Sequence, residues 1–158
     1  MDWAVALLAN IATRYNVVVT NQLALSDYQA LAEFRYQIRR FLHFSEQAAR
    51  HAGLEPQQHQ MLLVLKGLPR GVRPRVAELA SRLQVKHHTA VELIDRLAKR
   101  GYIRRQRAPK DQREVLLELT PRGETILRKL SLHHKAELGS RGKILITALK
   151  RAMRGTRA

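Results

Sequence analysis

Apolar side chains recur at three- and four-residue steps along most of the chain, which is the spacing of amphipathic helices. The pattern predicts helices over four stretches: 26–52, 56–66, 76–83 and 87–100. Ser26 and Asp27 supply an N-cap for the first helix, and Gly53 ends it. Gly101 ends the fourth helix as its C′ residue. The first helix is longer than one small domain needs.

The hydrophobic period changes to two residues after the fourth helix. The stretch RRQRAPKDQREVLLELT, residues 104–120, predicts a short β-hairpin with a basic tip. Its return strand alternates between residues expected to face inward and residues expected to face outward: Val115, Leu117 and Leu119 against Glu114 and Glu118. Because a two-stranded ribbon is marginal on its own, the inward residues are expected to anchor the hairpin to a core.

Two further helices are predicted after the hairpin. Thr120 and Pro121 form an N-cap and N1 pair for the first, which runs through Leu127, Leu130 and His134, and the last helix covers 143–153. Residues 1–25 are predicted to form an N-terminal arm or extra helix. Their apolar stretch, 3–12 with VVV at 17–19, is too short to span a bilayer, and the basic start of a signal peptide is missing. The predicted fold class is therefore mainly α with a small β-wing.

The net charge of the chain indicates which class of partner it binds. The chain carries 29 Lys and Arg against 13 Asp and Glu, a formal net charge of +16. Such an excess predicts a polyanionic partner, nucleic acid before an anionic membrane surface. The absence of cysteine excludes disulfides, thiolate metal sites and cysteine nucleophiles, and it fits a cytoplasmic protein. We predict no enzyme and no cofactor, because the sequence has no phosphate-binding loop, nucleophile elbow or zinc-helix motif.

Two short helices joined by a tight turn and followed by a β-ribbon are the layout of a winged helix-turn-helix. The second helix enters the DNA major groove and keeps its first turn and polar face exposed. The candidate contact residues on this recognition helix are Lys86, His87, His88, Thr89, Glu92 and Arg96. Glu92 accepts from a cytosine amine in one interpretation. In the other it only forms an i,i+4 ion pair with Arg96.

Positive charge is densest across the end of this helix and the hairpin. Residues 96–113 contain eight Lys and Arg and one acidic residue, Asp111. A solvated surface is the usual explanation of such a run, but its coincidence with the helix and wing favours phosphate contacts. The candidate wing residues are Arg104, Arg105, Arg107, Lys110, Asp111 and Arg113. No metal site is predicted at the His87-His88 or His133-His134 pairs, since neither has a third ligand at suitable spacing.

The segments ELASRLQVKHHTAVELIDRLAKRGYI (78–103) and RRQRAPKDQREVLLELTPRGE (104–124) resemble the MarR (multiple antibiotic resistance regulator) family of winged helix-turn-helix transcriptional regulators. The likeness covers roughly 27–154. The family's wing signature is an Asp-x-Arg, an apolar strand, Leu-Thr and a Gly in the next helix. The residues in those places are Asp111, Arg113, Leu119, Thr120 and Gly123. Two positions depart from the family pattern: Lys86-His87 stands where Ser is common, and Ala108-Pro109 where Asp-Pro is common.

The resemblance implies a homodimer that binds a pseudo-palindromic operator in double-stranded DNA and represses transcription. It implies one MarR-like domain over 26–158, with the winged helix-turn-helix over 56–120 and dimerisation helices over 26–52 and 121–154. Arg113 would lie in or beside the minor groove, held by a salt bridge to Asp111. An alternative is a sequence-tolerant architectural DNA-binding protein, favoured by six Lys and Arg and no acid in 141–158.

The resemblance also implies a small aromatic or amphipathic acid as effector, bound between the dimerisation helices and the DNA-binding part. The candidate pocket residues are Phe34, Ile38, Phe41, His59 and Leu63. These side chains equally suit a hydrophobic core, and both interpretations stay open at this point.

Overall fold

The computed structural model of the protein describes residues 23–108 and 111–154, with the backbone alone for 111–113. These residues form five helices and two strands, in the order α1 (Leu25–His51), α2 (Pro56–Lys66), α3 (Val76–Leu83), α4 (His87–Lys99), β1 (Ile103–Ala108), β2 (Asp111–Leu119) and α5 (Pro121–Met153). The prediction of a mainly helical fold with a two-stranded wing is confirmed. The predicted arm falls, up to residue 22, outside the described residues.

The chain divides into two compact units. Residues 39–143 form the first, which we call the winged unit, and the described residues 23–38 and 144–154 belong to the second. Helices α2, α3 and α4 and the base of the ribbon share the core of the winged unit. Its most deeply buried side chains include Leu54, Met61, Leu62, Leu79, Ile94, Leu97 and Leu117. The apolar stripes predicted for α3 and α4 therefore face this core.

Local signals end the helices of the winged unit where the sequence places them. Gln84 closes α3 in the left-handed conformation at φ 54°, and Gly101 follows α4 at φ +70°. Helix α2 begins with a capping box between Glu55 and Gln58, with proline at its first turn. The resulting turn between α3 and α4 is short, so the two helices form a helix-turn-helix.

Strands β1 and β2 pair antiparallel, with Ile103 opposite Leu119 and Arg105 opposite Leu117. The prediction that Val115 faces inward is wrong, since its side chain is 43% exposed. Val115 pairs with Arg107 near the tip of the ribbon. Leu117, closer to the base, is the residue that enters the core. The outward prediction for Glu114 is also wrong, because two arginine side chains cover its carboxylate.

The C-terminal part is one helix of 33 residues, α5, where two helices were predicted. The predicted break falls on a segment with two glycines, Gly139 and Gly142, and glycine is typical of helix ends. Each interior glycine costs only about 1 kcal/mol relative to alanine, and no proline interrupts the segment. An i,i+4 ion pair between Glu137 and Arg141, at 3.4 Å, crosses Gly139. The helix continues because the cost is small.

The start of α5 is fixed against the end of α4. The backbone N–H of Thr120 donates to the carbonyl of Tyr102 at 3.0 Å, and the Thr120 hydroxyl donates to the carbonyl of Gly101 at 2.6 Å. The same hydroxyl accepts from the backbone N–H of Gly123 at 3.1 Å, which makes it the helix cap. A Cβ on Gly123 would lie 2.1 Å from the Tyr102 carbonyl oxygen. Leu-Thr followed by Gly is thus a packing requirement at this junction.

Candidate nucleic-acid interface

Helix α4 presents a polar surface with an uncapped first turn. Lys86 is the N-cap residue, and its side chain makes no capping hydrogen bond. The N–H groups of a helix's first turn lack intrahelical acceptors and carry partial positive charge. The first turn of α4 contains no acidic side chain to satisfy that charge. This end of the helix therefore suits a phosphate group.

All six residues predicted for the recognition helix lie away from the core. Thr89 is half-buried and the other five are exposed, whereas the buried side is formed by Ala90, Leu93, Ile94 and Leu97. Glu92 and Arg96 form the i,i+4 ion pair, with their nearest atoms 3.6 Å apart. The free protein thus holds Glu92 against its own arginine.

The basic residues of β1 are exposed, but two of them already contact acidic side chains. Arg105 reaches Asp95 of α4, with Nη2 2.5 Å from Oδ1, so the wing is linked to the recognition helix. Arg104 pairs across the ribbon with Glu118. Lys110 and the side chains of Asp111 and Arg113 lie outside the described residues, so their predicted arrangement stays a prediction.

A second link joins the wing to the loop before α3. Glu114 accepts hydrogen bonds from Arg73 Nη1 and Arg75 Nε. Between these arginines, the Pro74 carbonyl accepts from the Leu117 N–H at 3.0 Å. Sequence reasoning missed this cluster, and its one local signal was an acidic residue directly after the basic tip.

The arginine at the end of α4 does not belong to this surface, although it lies within the basic run 96–113. Arg100 is half-buried, with its guanidinium carbon 5.1 Å from the centroid of the Tyr102 ring. Its Nη1 donates to Gln58 at 3.4 Å. Arg122 packs near the same ring, at 4.9 Å. Arg100 therefore stabilises the interior of the winged unit.

The comparisons with known proteins agree on one family. The model described as MarR family matches residues 52–114, which include the helix-turn-helix and most of the wing. The crystal structure of the MarR family transcription regulator SP03579 is 26% identical, covering 78% of this chain and 83% of its own, with a TM-score of 0.65. The helix-turn-helix and most of the wing, residues 52–114, therefore match the MarR family. This match and the likeness to SP03579 identify the winged unit as a DNA-binding unit of the kind found in MarR family transcription regulators.

Two other solved structures extend the likeness in fold to most of this chain. AbsC, a MarR family transcriptional regulator from Streptomyces coelicolor, is 24% identical with a TM-score of 0.66, covering 85% of this chain and 94% of its own. A variant of S. aureus MepR bound to an oligodeoxyribonucleotide is 18% identical with a TM-score of 0.58, covering 77% and 84%. No curated protein matches the chain significantly in sequence. No helix described between residues 23 and 154 is long and apolar enough to cross a membrane.

The residues predicted for the effector pocket belong to both units. Phe34 and Ile38 belong to the second unit, and Phe41, His59 and Leu63 to the winged unit. The ring of Phe41 lies 6.3 Å, and that of His59 4.9 Å, from the ring of His134 on α5. Leu63, one turn farther along α2, lines a groove of about 570 Å³ with Lys66, Glu124 and Arg128. His59 and Phe41 are thus brought together around a residue that was not in the predicted pocket.

His59 and His134 are buried titratable groups. Burial, and then the neighbouring His134, lower the pKa of His59 from 6.5 to about 4. Burial, and then His133, lower the pKa of His134, against a hydrogen bond to the Ser45 backbone that raises it. No described protein atom makes a hydrogen bond to Nε2 of either ring. In the part of the chain that the structure describes, no group of three or more His, Asp or Glu side chains is arranged to hold a metal ion.

Proposed function

We propose that the protein is a homodimeric, sequence-specific repressor that binds a pseudo-palindromic operator and releases it when a small aromatic or amphipathic acid binds. The observation that carries the proposal is the combination, on one unit, of an exposed polar recognition helix and an exposed basic ribbon. A major groove admits one such helix, and base edges there distinguish all four base pairs. The MepR variant bound to an oligodeoxyribonucleotide supports the same use of this fold.

The recognition-helix residues have different proposed roles. Lys86 binds a phosphate at the helix N-terminus, because charge and helix dipole act together there. His88 and Thr89 face base edges with ring nitrogens, a hydroxyl and a methyl group, and His87 flanks them. Arg96 contacts a phosphate or a guanine, and Glu92 orients it through their ion pair. Lys86 and His87 stand at the start of the helix where Ser is common in the family. The base preference of this protein is therefore proposed to differ from that of family members with Ser there.

The wing supplies phosphate attraction and one minor-groove contact. Arg104, Arg105, Arg107 and Lys110 are proposed to act mainly on the phosphate backbone, where each charge steepens the salt dependence of binding. Arg113, held by Asp111, is the residue proposed to enter the minor groove, where groove width and potential are read. The support for this last role is the family resemblance of the wing signature.

Dimerisation is proposed to use 26–52 and 121–154, within one MarR-like domain over 26–158. The long helices leave many large apolar side chains exposed in the single chain. On α1 these are Leu25, Tyr28, Leu31, Tyr36 and Leu42, and on α5 they are Leu132, Leu138, Ile144, Ile146, Leu149 and Met153. Soluble monomers rarely expose so much apolar surface. A two-fold symmetric dimer that covers it also explains the pseudo-palindromic operator.

An effector site is proposed around Phe34, Ile38, Phe41, His59 and Leu63. The buried His59 and its contact with His134 support it, since a polar ring in an apolar site is suited to orienting a small ligand. Thermal-shift screening with aromatic acids, followed by DNA-release assays, tests this part. A broad panel that gives neither a shift nor release would contradict it.

Selection of bound duplexes from a random pool, with the purified protein, tests the central proposal. We expect enrichment of one pseudo-palindromic sequence, a bounded footprint on it, and weaker binding to a scrambled duplex at moderate salt. Equal affinity for random duplex and diffuse coating would instead favour the sequence-tolerant architectural protein, which the net charge of +16 supports. We propose a cytoplasmic location, which the absence of cysteine from the sequence supports.

A further inference from the structure

Glu114 is an acidic residue on a surface otherwise rich in arginine, and it is the most covered acid among the wing ion pairs. Its side chain is 9% exposed, compared with 38% for Glu118 and 46% for Asp95. A carboxylate loses much of its hydration at such burial, which is costly unless charged donors replace the water. The guanidinium groups of Arg73 and Arg75 provide those donors.

The two arginines belong to the segment that leads into the helix-turn-helix. Arg75 is the N-cap residue of α3, and Arg73 lies two residues before it. The Pro74 carbonyl between them accepts from the N–H of Leu117, so this segment lies along β2. Glu114 and Leu117 thus attach β2 to the residues immediately before α3, one through side chains and the other through the backbone.

We propose that Glu114 is a positioning residue for DNA recognition, which fixes the angle between the wing and the helix-turn-helix so that both contact one stretch of DNA. The proposal rests on the sequence-specific DNA binding proposed above. A recognition helix and a wing read different grooves of the same site. Their combined contact is strongest when the protein holds the two elements at a fixed separation before binding, because no ordering cost is then left to pay.

Removing the carboxylate has two effects of opposite sign. Two guanidinium groups that shared one anion are left close together, so they repel each other and the loop moves off β2. At the same time the surface gains one positive charge, which strengthens attraction to any phosphate backbone. A positioning role therefore predicts weaker binding to the operator together with stronger binding to unrelated DNA. A purely electrostatic role predicts stronger binding to both.

The test is Glu114→Gln in the full-length protein, titrated on two duplexes at several salt concentrations. One duplex is the sequence most enriched from the random pool, and the other is its scrambled counterpart. We expect the ratio of the two affinities to fall by about tenfold, which corresponds to roughly 1.4 kcal/mol. We also expect the absolute affinity for the scrambled duplex to rise.

Glu118→Gln is the matched control. Glu118 is on the same strand and makes the same charge change, but its partner Arg104 is on the ribbon itself. We expect Glu118→Gln to raise affinity for both duplexes without changing their ratio. An unchanged ratio in Glu114→Gln, or an equal loss of ratio in both variants, would overturn the proposal.

Arg75→Gln tests the same interaction by removing the charge of the other partner. We expect this variant to fold, since Arg75 is 55% exposed. We expect it to lower the ratio, and the double variant with Glu114→Gln to lower it little further, because both changes break one interaction. Additive losses would contradict a shared role. If the wild-type protein itself does not distinguish the two duplexes, the proposed function fails. If it does and the variants do as well, only the role of Glu114 fails.

Discussion

Apolar side chains are buried in the core of the winged unit but exposed on the outer surfaces of the long helices. In the former, Leu79, Ile94 and Leu97 are 0% exposed, and the chain completes the core by itself. On α5, Leu132 is 64% and Ile146 52% exposed, although both are as hydrophobic as the residues of the core. Packing within the chain is therefore enough to bury the core residues of the helix-turn-helix and wing. Among the described residues, nothing covers these side chains of the long helices, and we propose that a second copy of the chain does so.

Gly123→Ala is expected to have the largest effect on stability. Gly123 lies near the start of α5, where this long helix packs against Tyr102 of the winged unit. The added Cβ would lie 2.1 Å from the Tyr102 carbonyl oxygen, and neither backbone segment can move without breaking the Thr120 cap. We expect the free energy of unfolding to fall by about 3 kcal/mol, at the upper end of overpacking costs. Chemical denaturation monitored by circular dichroism measures it.

Gly139→Ala is the matched control on the same helix. A Cβ there meets no atom within 4 Å, and the position is inside a continuous helix. We expect stability to rise by up to about 1 kcal/mol, since alanine is the better helix former. Destabilisation at Gly139 would show that α5 is broken in solution. An unchanged stability at Gly123 would show that the junction is looser than described.

The next effect concerns the exposed surface of α5. Leu132→Glu places a charge on an apolar side chain that is 64% exposed in the single chain. If the long helices form the dimer, the change enters a two-fold interface twice, and each buried leucine contributes about 1.5–3 kcal/mol. We therefore expect the dimer dissociation constant to rise by about 100-fold or more. Sedimentation equilibrium measures it.

Arg70→Gln is the control for charge, since it also lowers the net charge by one but lies on an exposed loop of the winged unit. We expect it to leave the dissociation constant unchanged. A dimer that tolerates Leu132→Glu would place the dimer interface elsewhere, and the exposed apolar residues of α5 would then need another partner.

The third prediction concerns how the stability of the protein depends on pH, which tests the burial of His59 in the winged unit. His59 has a pKa of about 4 in the folded protein and 6.5 when exposed, so the unfolded chain binds more protons between these values. The stability that depends on neutral His59 is present above pH 6.5 and is lost as the pH falls through 6.5 towards 4. We expect a loss of about 2 kcal/mol between pH 7.5 and pH 5. His134 titrates in the same direction and adds to it.

His59→Leu should remove most of that dependence, because leucine is of similar size and does not titrate. His43→Gln, at an exposed position on α1, should keep it. Denaturation curves at a series of pH values compare the three proteins. If His59→Leu keeps the full pH dependence of the wild type, the acid sensitivity comes from another group.

The sequence predicts those features that depend on local signals. Gly101 after α4 and Thr120-Pro121 before α5 act through backbone conformation and capping, so their consequences follow from the residues themselves. The recognition-helix surface follows from the period of its apolar residues. Glu114 could not be placed in this way, since its partners Arg73 and Arg75 are about forty residues away and meet it only in the folded protein. Arg105 was predicted as a wing residue, but its contact with Asp95 was missed, because this pair too meets only in the folded protein.

What covers the exposed apolar surface could not be predicted either, for a different reason. Periodicity identifies the apolar side of α5, but it does not tell whether Leu132 is covered by the same chain or by another. The break predicted between His134 and residue 143 was wrong because local propensity is weak compared with the sum of hydrogen bonds in a long helix. Elements fixed by a cap or a tight turn were therefore predicted better than those fixed by length and partners.

The smallest expected effect separates the two interpretations of Glu92. Its ion pair with Arg96 is exposed and 3.6 Å long, so Glu92→Gln should change stability by no more than about 0.5 kcal/mol. If Glu92 does no more than form an ion pair with Arg96, the freed arginine and the lost negative charge raise affinity for operator and scrambled duplex by the same factor. If Glu92 accepts from a cytosine amine, affinity falls on the operator alone, by about 1–3 kcal/mol. Titration on both duplexes distinguishes the outcomes, and Glu114→Gln differs from either, since it raises one affinity while lowering the other.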